Sequence, residues 1–130
     1  LKGFGLQRGA YGTTTSWDMP DMIVVGCDTP SMETVMGRLE EIGGGCAYAI
    51  GKEIVAELPA PLCGVISLKP MERVRDEVRK LEESLRKNGV KWEKPILTVD
   101  TFGTPAIPSL RITNHGYVRL KDREILSLEI

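Results

Sequence analysis

Apolar positions in this 130-residue chain form two helical stripes set among short strand-like runs. Met22, Ile23, Val24 and Val25 are contiguous and bounded by turn formers, so residues 21–27 read as a buried strand. Thr29-Pro30 then marks a helix start, with Thr29 as N-cap and Pro30 in the first helical position, where a missing N–H does no harm. Met32, Val35, Met36, Leu39 and Ile42 follow at helical spacing, and Gly43-Gly44-Gly45 ends the stripe, the first glycine taking the left-handed position. A second stripe, Met71, Val74, Val78, Leu81 and Leu85, predicts a helix over residues 71–88, opened by Lys69-Pro70 and closed by Asn88-Gly89. Its other faces carry Asp76 with Lys80, Glu82 with Arg86 and Glu83 with Lys87, each an acid four residues before a base and worth about 0.2–0.5 kcal/mol.

Between the stripes, residues 46–50 and 54–58 flank Gly51-Lys52-Glu53 and predict a hairpin. Neither face of this hairpin is strongly polar, which fits a sheet covered on both sides or packed against a partner. Pro59-Ala60-Pro61 ends the pairing, and residues 62–68 resume an apolar, strand-like or extended run around Gly64. Residues 96–102 read as a strand, 110–113 and 117–120 as strands around Asn114-His115-Gly116, and 125–130 as a final strand. The predicted fold is α+β over one domain, residues 1–130: a mixed, largely antiparallel sheet with two helices packed on one face.

Composition narrows the partners. With 17 basic and 18 acidic residues the net charge is −1, which gives no electrostatic pull toward nucleic acid or anionic lipid. No apolar run reaches the roughly 18 residues of a membrane span, and no basic-then-apolar leader is present. Cys27, Cys46 and Cys63 are odd in number and never in a C-x-x-C pair, so they read as small buried residues in a reducing cytoplasm, not as a disulfide framework or a zinc clip. His115, the only histidine, falls in the predicted turn, and no metal site of several imidazoles can be built from this chain alone. The chain starts at Leu1, inside an apparent strand or turn, which is the pattern expected of a piece of something longer.

The least ordinary chemistry lies near the start. Gly3, Gly5, Gly9 and Gly12 surround Arg8, and Thr13-Thr14-Thr15-Ser16 leads into Trp17-Asp18-Met19-Pro20-Asp21. An Arg, a Trp and two Asp beside tight turns can line a pocket, and Asp18 and Asp21 can share one site; a Gly-rich edge strand followed by an Asp/Pro turn explains the same residues. Asp100, before Thr101-Phe102-Gly103, is a comparable candidate. No nucleophile elbow or P-loop occurs, and residues 3–9 miss the dinucleotide spacing G-x-G-x-x-G by one position.

Five segments stand out in order: KGFGLQRGA (2–10), IVVG (23–26), EIGGG (41–45), ELPAPLCGVIS (57–67) and PAIPSLRIT (105–113). Together they resemble the C-terminal domain of the adenine deaminase family of the amidohydrolase superfamily. The resemblance implies hydrolysis of adenine to hypoxanthine and ammonia by a metal-bound hydroxide, in a (β/α)₈ barrel that would precede Leu1 and carry the histidine and aspartate ligands. This chain alone is then not expected to be catalytic or to hold a cofactor. A divalent metal of the manganese or iron type is implied for the complete enzyme, with an upstream barrel, a homo-oligomer and a purine-type ligand as partners. Where the family commonly reads His-Asp-Ser-His-Asn, this chain has Trp17-Asp18-Met19-Pro20-Asp21, which retains Asp18 and loses both imidazoles. Arg8 and Asp18 carry over as substrate-binding or barrel-facing candidates, with Trp17 and Asp21 as local replacements. Loss of the histidines also fits another purine-like substrate, or a free-standing non-catalytic module that binds a small ligand or self-associates.

Overall fold

A computed structural model describes residues 3–16, 21–102, 104, 109–113 and 115–127. Its centre is a four-stranded antiparallel sheet of Ala10–Thr13 (β1), Ile23–Gly26 (β2), Gly45–Ile50 (β3) and Glu53–Pro59 (β4), in the order β2-β1-β3-β4. The first strand is therefore internal, with Tyr11 opposite Val25 on one side and Tyr48 on the other. Alternation along β1 and β3 gives the sheet two unlike faces. Ala10, Gly12, Ala47 and Ala49 form a face of small residues; Tyr11, Thr13, Cys46 and Tyr48 form a bulky one.

Helix Thr29–Glu41 (α1) packs Val35 and Leu39 onto the small face, against Ala10, Ala47 and Ala49. It can come this close because Gly12 has no side chain: a Cβ there would collide with Val35 Cγ1 and stand 3.0 Å from Leu39 Cδ1. Helix Met71–Lys87 (α2) packs Leu81 and Leu85 onto the bulky face, with Tyr11, Cys46, Tyr48, Ala56 and Leu58. The α+β class and the antiparallel pairing thus match the sequence, but the two long helices take opposite faces of the sheet instead of one. Both faces of β1 and β3 are apolar, and two helices stacked on one side would leave the other in water, at about 25 cal/mol for each Å² of apolar surface left uncovered.

Local chemistry shifts several boundaries. The N-cap of α1 is Asp28, whose Oδ1 accepts the Ser31 N–H at 2.8 Å, so Thr29 opens the helix itself. At the other end Ile42 is the C-cap and Gly43 takes φ +75°, as its position predicts. Residues 21–27 hold a shorter, half-buried edge strand, β2. The run at 96–102 is not a strand: Pro95–Asp100 forms a short helix (α3), with Val99 buried and Ile96 packed against the core on the α2 side. Pro95 in the first turn sets the helical φ, and burial at three-residue spacing outweighs the strand preference of Ile96, Thr98 and Val99. Residues 62–68 are not a strand either; Leu62 bridges to Ile66 and Gly64 to Gly44. Leu110–Thr113 (β5), Gly116–Arg119 (β6) and Glu124–Leu126 (β7) make a second antiparallel sheet in that order, with His115 exposed between β5 and β6. Residues 128–130 of the predicted last strand lie outside the described residues.

Of the cysteines only Cys46 is buried; Cys27 and Cys63 are exposed, because both sit in bends at the sheet ends and not in its interior. The lead-in to β1 is clamped to the α2–α3 connection and to the residue after the α3 C-cap. Phe4 is buried edge-to-face on Phe102 at 6.4 Å, the Gln7 N–H donates to Asn88 O at 2.9 Å, and Trp92 Nε1 donates to Gly3 O at 3.0 Å. Among the described residues no helix is long and apolar enough to cross a membrane.

Candidate functional site: the polar seam at the end of β1

Thr13, the last residue of β1, points to the bulky face and lies opposite Cys46. Its hydroxyl donates to Asp100 Oδ1 at 2.8 Å, and the Thr15 hydroxyl reaches both carboxylate oxygens at 3.1 and 3.0 Å. The two hydroxyl oxygens are 2.8 Å apart, and Cys46 Sγ stands 3.5 Å from the first and 3.7 Å from the second. Asp100, delivered by the last residue of α3, is only 6 % exposed. The Tyr11 hydroxyl is buried on the same face without a hydrogen-bond partner among the described residues.

Burial dominates the electrostatics. It raises the Asp100 carboxyl above its usual range, against the opposing pull of the Thr13 and Thr15 hydroxyls, and it raises the Cys46 thiol and the Tyr11 phenol as well. Thiol and phenol therefore keep their protons at neutral pH, and neither is an activated nucleophile. The seam is a lock: it fixes Thr13 and Thr15 at the exit of β1.

Thr14, facing the other way, completes the lock. Its hydroxyl donates to Gly64 O at 2.7 Å and accepts the Gly45 N–H at 2.8 Å, tying three distant segments at one oxygen. Gly44 has φ +102°, and a Cβ there would sit 2.6 Å from Gly64 Cα, so only glycine lets the two backbones meet.

Trp17 and Asp18 lie outside the described residues. Asp21 is exposed at this end of the sheet, two residues before β2, whose Ile23 pairs with Thr13. Arg8 is exposed at the opposite end of β1, its carbonyl accepting the Tyr48 hydroxyl at 2.8 Å. The β1–β2 register sets Asp21 level with Thr15, so at about 3.3 Å per residue Arg8 lies on the order of 20 Å away from it. Thr13, Thr15 and Cys46 escape a sequence reading because the carboxylate they surround is 85 to 87 residues away from the threonines. The available signal was an apolar run ending in an acid, Ile96 to Asp100.

Among the described residues no three of His, Cys, Asp and Glu converge as a metal site, and the sole histidine is exposed in a turn. A groove of about 480 Å³ along the outer edge of β4 is lined by Arg38, Glu57, Glu77 and Lys80 among others. Its charges are largely spent on one another: Arg38 grips Glu57 through two nitrogens at 2.7 and 2.9 Å and reaches Glu41, while Glu77 holds Lys69 at 2.6 Å.

The sequence model of the adenine deaminase C-terminal domain matches residues 1–124. The chain is similar to the adenine deaminase of Cereibacter sphaeroides (strain ATCC 17025 / ATH 2.4.3), with 43 % identity over 126 residues, 97 % of this chain and 22 % of that protein. Similarity to the adenine deaminases of Desulfatibacillum aliphaticivorans (34 %, covering 98 % of this chain and 22 % of that protein) and Archaeoglobus fulgidus (33 %, 99 % and 23 %) is comparable in extent. The chain thus spans about a fifth of the length of these relatives. A match from the clamped lead-in to the first residue of β7 takes in all three helices, the four-stranded sheet and the seam, and this chain belongs to the adenine deaminase C-terminal domain family.

Proposed function

We propose that this domain serves an adenine-deaminase-type hydrolase, which converts adenine and water to hypoxanthine and ammonia, and that its part is to hold residues 17–21 as one wall of the active site. The observation that carries this reading is the double lock on the exit of β1, Thr13 and Thr15 on Asp100 and Thr14 on Gly45 and Gly64, which gives that stretch a rigid base. Such rigidity is what positioning a polar group near a reacting centre requires. Asp18 is the residue of that stretch expected to face the purine, with Trp17 and Asp21 beside it; Arg8, at the far end of β1, contributes to contacts with the rest of the protein. The divalent metal, of manganese or iron type, belongs to a barrel elsewhere in the complete protein, which we expect to be a cytoplasmic homo-oligomer. Free, exposed Cys27 and Cys63 agree with a reducing compartment.

The test is ammonia release from adenine by the complete, metal-loaded protein and its Asp18→Ala variant. Loss of turnover with intact assembly supports the reading, and unchanged turnover removes Asp18 from it. A second reading, a non-catalytic module that binds a purine or self-associates, is favoured by Trp17 and Pro20 standing where the family commonly has histidine. It predicts heat on titration with adenine or another purine, or concentration-dependent sedimentation, in a protein that releases no ammonia.

A further inference from the structure

Residues 61–68, PLCGVISL, carry no charge, and none of their side chains is buried in the core. Leu62, Val65 and Ile66 are exposed, as are Leu68 at 75 % and Met71 at 82 %, so five large apolar side chains stand in water within ten residues. A floppy loop could hide such groups against itself; this one cannot. The Leu62 N–H donates to Ile66 O at 3.2 Å, the Ile66 N–H returns to Leu62 O at 3.1 Å, and Thr14 holds Gly64 by its carbonyl. Cys63 is kept at φ +57°, a left-handed conformation that a non-glycine residue adopts only when its surroundings impose it. A fixed, uncharged, exposed apolar ridge marks an interaction surface.

We propose that this ridge is the seat of the remainder of the deaminase chain, the four fifths of the relatives' length that this domain does not span. The inference rests on the reading that the domain works inside a longer deaminase-type protein, and it adds the face by which it docks. Two considerations favour that occupant. Thr14 joins the ridge to the exit of β1, so a chain seated on the ridge would lie against the locked end of the sheet that the proposed function directs at the active site. The covering chain is also tethered to the domain, so a patch of this size needs no affinity of its own at cellular concentrations.

Cys63, in the ridge, reports on its cover, while Cys27, exposed at the opposite end of the sheet, reports on the reagent. In the complete native protein, Cys63 should be alkylated by iodoacetamide at least about tenfold more slowly than in the same chain unfolded in urea. Ile66→Glu, or Leu68→Glu should the first variant fail to fold, should restore most of that rate with sedimentation unchanged. Cys63 labelling at its unfolded rate overturns the proposal, and so does protection that survives both substitutions. Protection lost on dilution, with a matching change in sedimentation, overturns it in favour of a second copy as the occupant. None of these readouts involves adenine, so a protein with Cys63 covered and no ammonia release would sink the catalytic reading and leave the docking face standing.

Discussion

Thr13→Val tests the lock at the end of β1 with little change of shape, since valine keeps the branched β-carbon. The substitution removes one hydrogen bond to a carboxylate, worth about 1.5–3 kcal/mol, and the acceptor of the Thr15 N–H, which Thr13 Oγ1 receives at 3.1 Å. Replacing the hydroxyl by a methyl in a buried place returns about 0.8 kcal/mol. The expected net loss is about 1–2 kcal/mol at neutral pH, read from urea denaturation of the chain. The pH dependence is the sharper test. Burial raises Asp100 in the folded protein, so its neutral form contributes stability that is fully present below the ordinary aspartate range and lost as pH rises through the elevated value. The Thr13 hydroxyl favours the charged form, so without it the folded carboxyl moves further up and ionisation costs more. The deficit of Thr13→Val against the parent chain should therefore grow between about pH 4 and about pH 8. A deficit equal at the two ends, or below about 0.5 kcal/mol at neutral pH, would refute the claim that Thr13 holds this carboxylate.

Gly12→Ala should cost about 1–3 kcal/mol in a thermal melt, because the added methyl meets Val35 and Leu39 across the α1 contact and the helix must move to admit it; a neutral result would mean that α1 is not seated as described. Glu57→Gln should cost about 0.5–1 kcal/mol at neutral pH, a value discounted for a pair that water still reaches. Its hydrogen bond to Arg38 holds the Glu57 carboxyl below the usual range, so the pair's stability is present above the ordinary glutamate range and lost as pH falls through the lowered value; the variant should lack that acid-side slope. Asp28→Ala should lower the melting temperature by leaving the Ser31 N–H without its cap, and Asp28→Ser should restore most of it.

Much of the fold was legible wherever one local rule governed a segment. The stripe of α2 is one case: Leu81 and Leu85 are fully buried and Val74 and Val78 partly so, although Met71, counted in the stripe, belongs to the exposed ridge. The hairpin around Gly51 and the stop at Gly43 followed from turn chemistry in the same way. Pro95 offered the signal that Pro30 offered for α1, but it follows Lys94, which cannot cap through its side chain, and the β-branched Ile96, Thr98 and Val99 prevailed in the reading. The placement of the helices needed a comparison across strands. Ala10, Gly12, Ala47 and Ala49 alternate with Tyr11, Thr13, Cys46 and Tyr48, a small face against a large one, and both require cover. Family membership was legible in the segments around Gly5, Gly44 and Gly64, where backbones meet so closely that few sequences serve. The seam was not, since it joins residues far apart in sequence that are individually ordinary.

The internal position of β1 has a mechanical consequence. A strand at a sheet edge can peel away one hydrogen bond at a time, but β1 is bonded on both sides, to β2 and β3, and its lead-in is fastened at Gly3 and Gln7 to the α2–α3 connection and at Phe4 to Phe102 beyond α3. Tension arriving along the backbone ahead of Gly3 would load two ladders and that fastening together, in shear. The domain would then follow a moving neighbour as a rigid attachment, and any swivel between them would have to lie outside the strand.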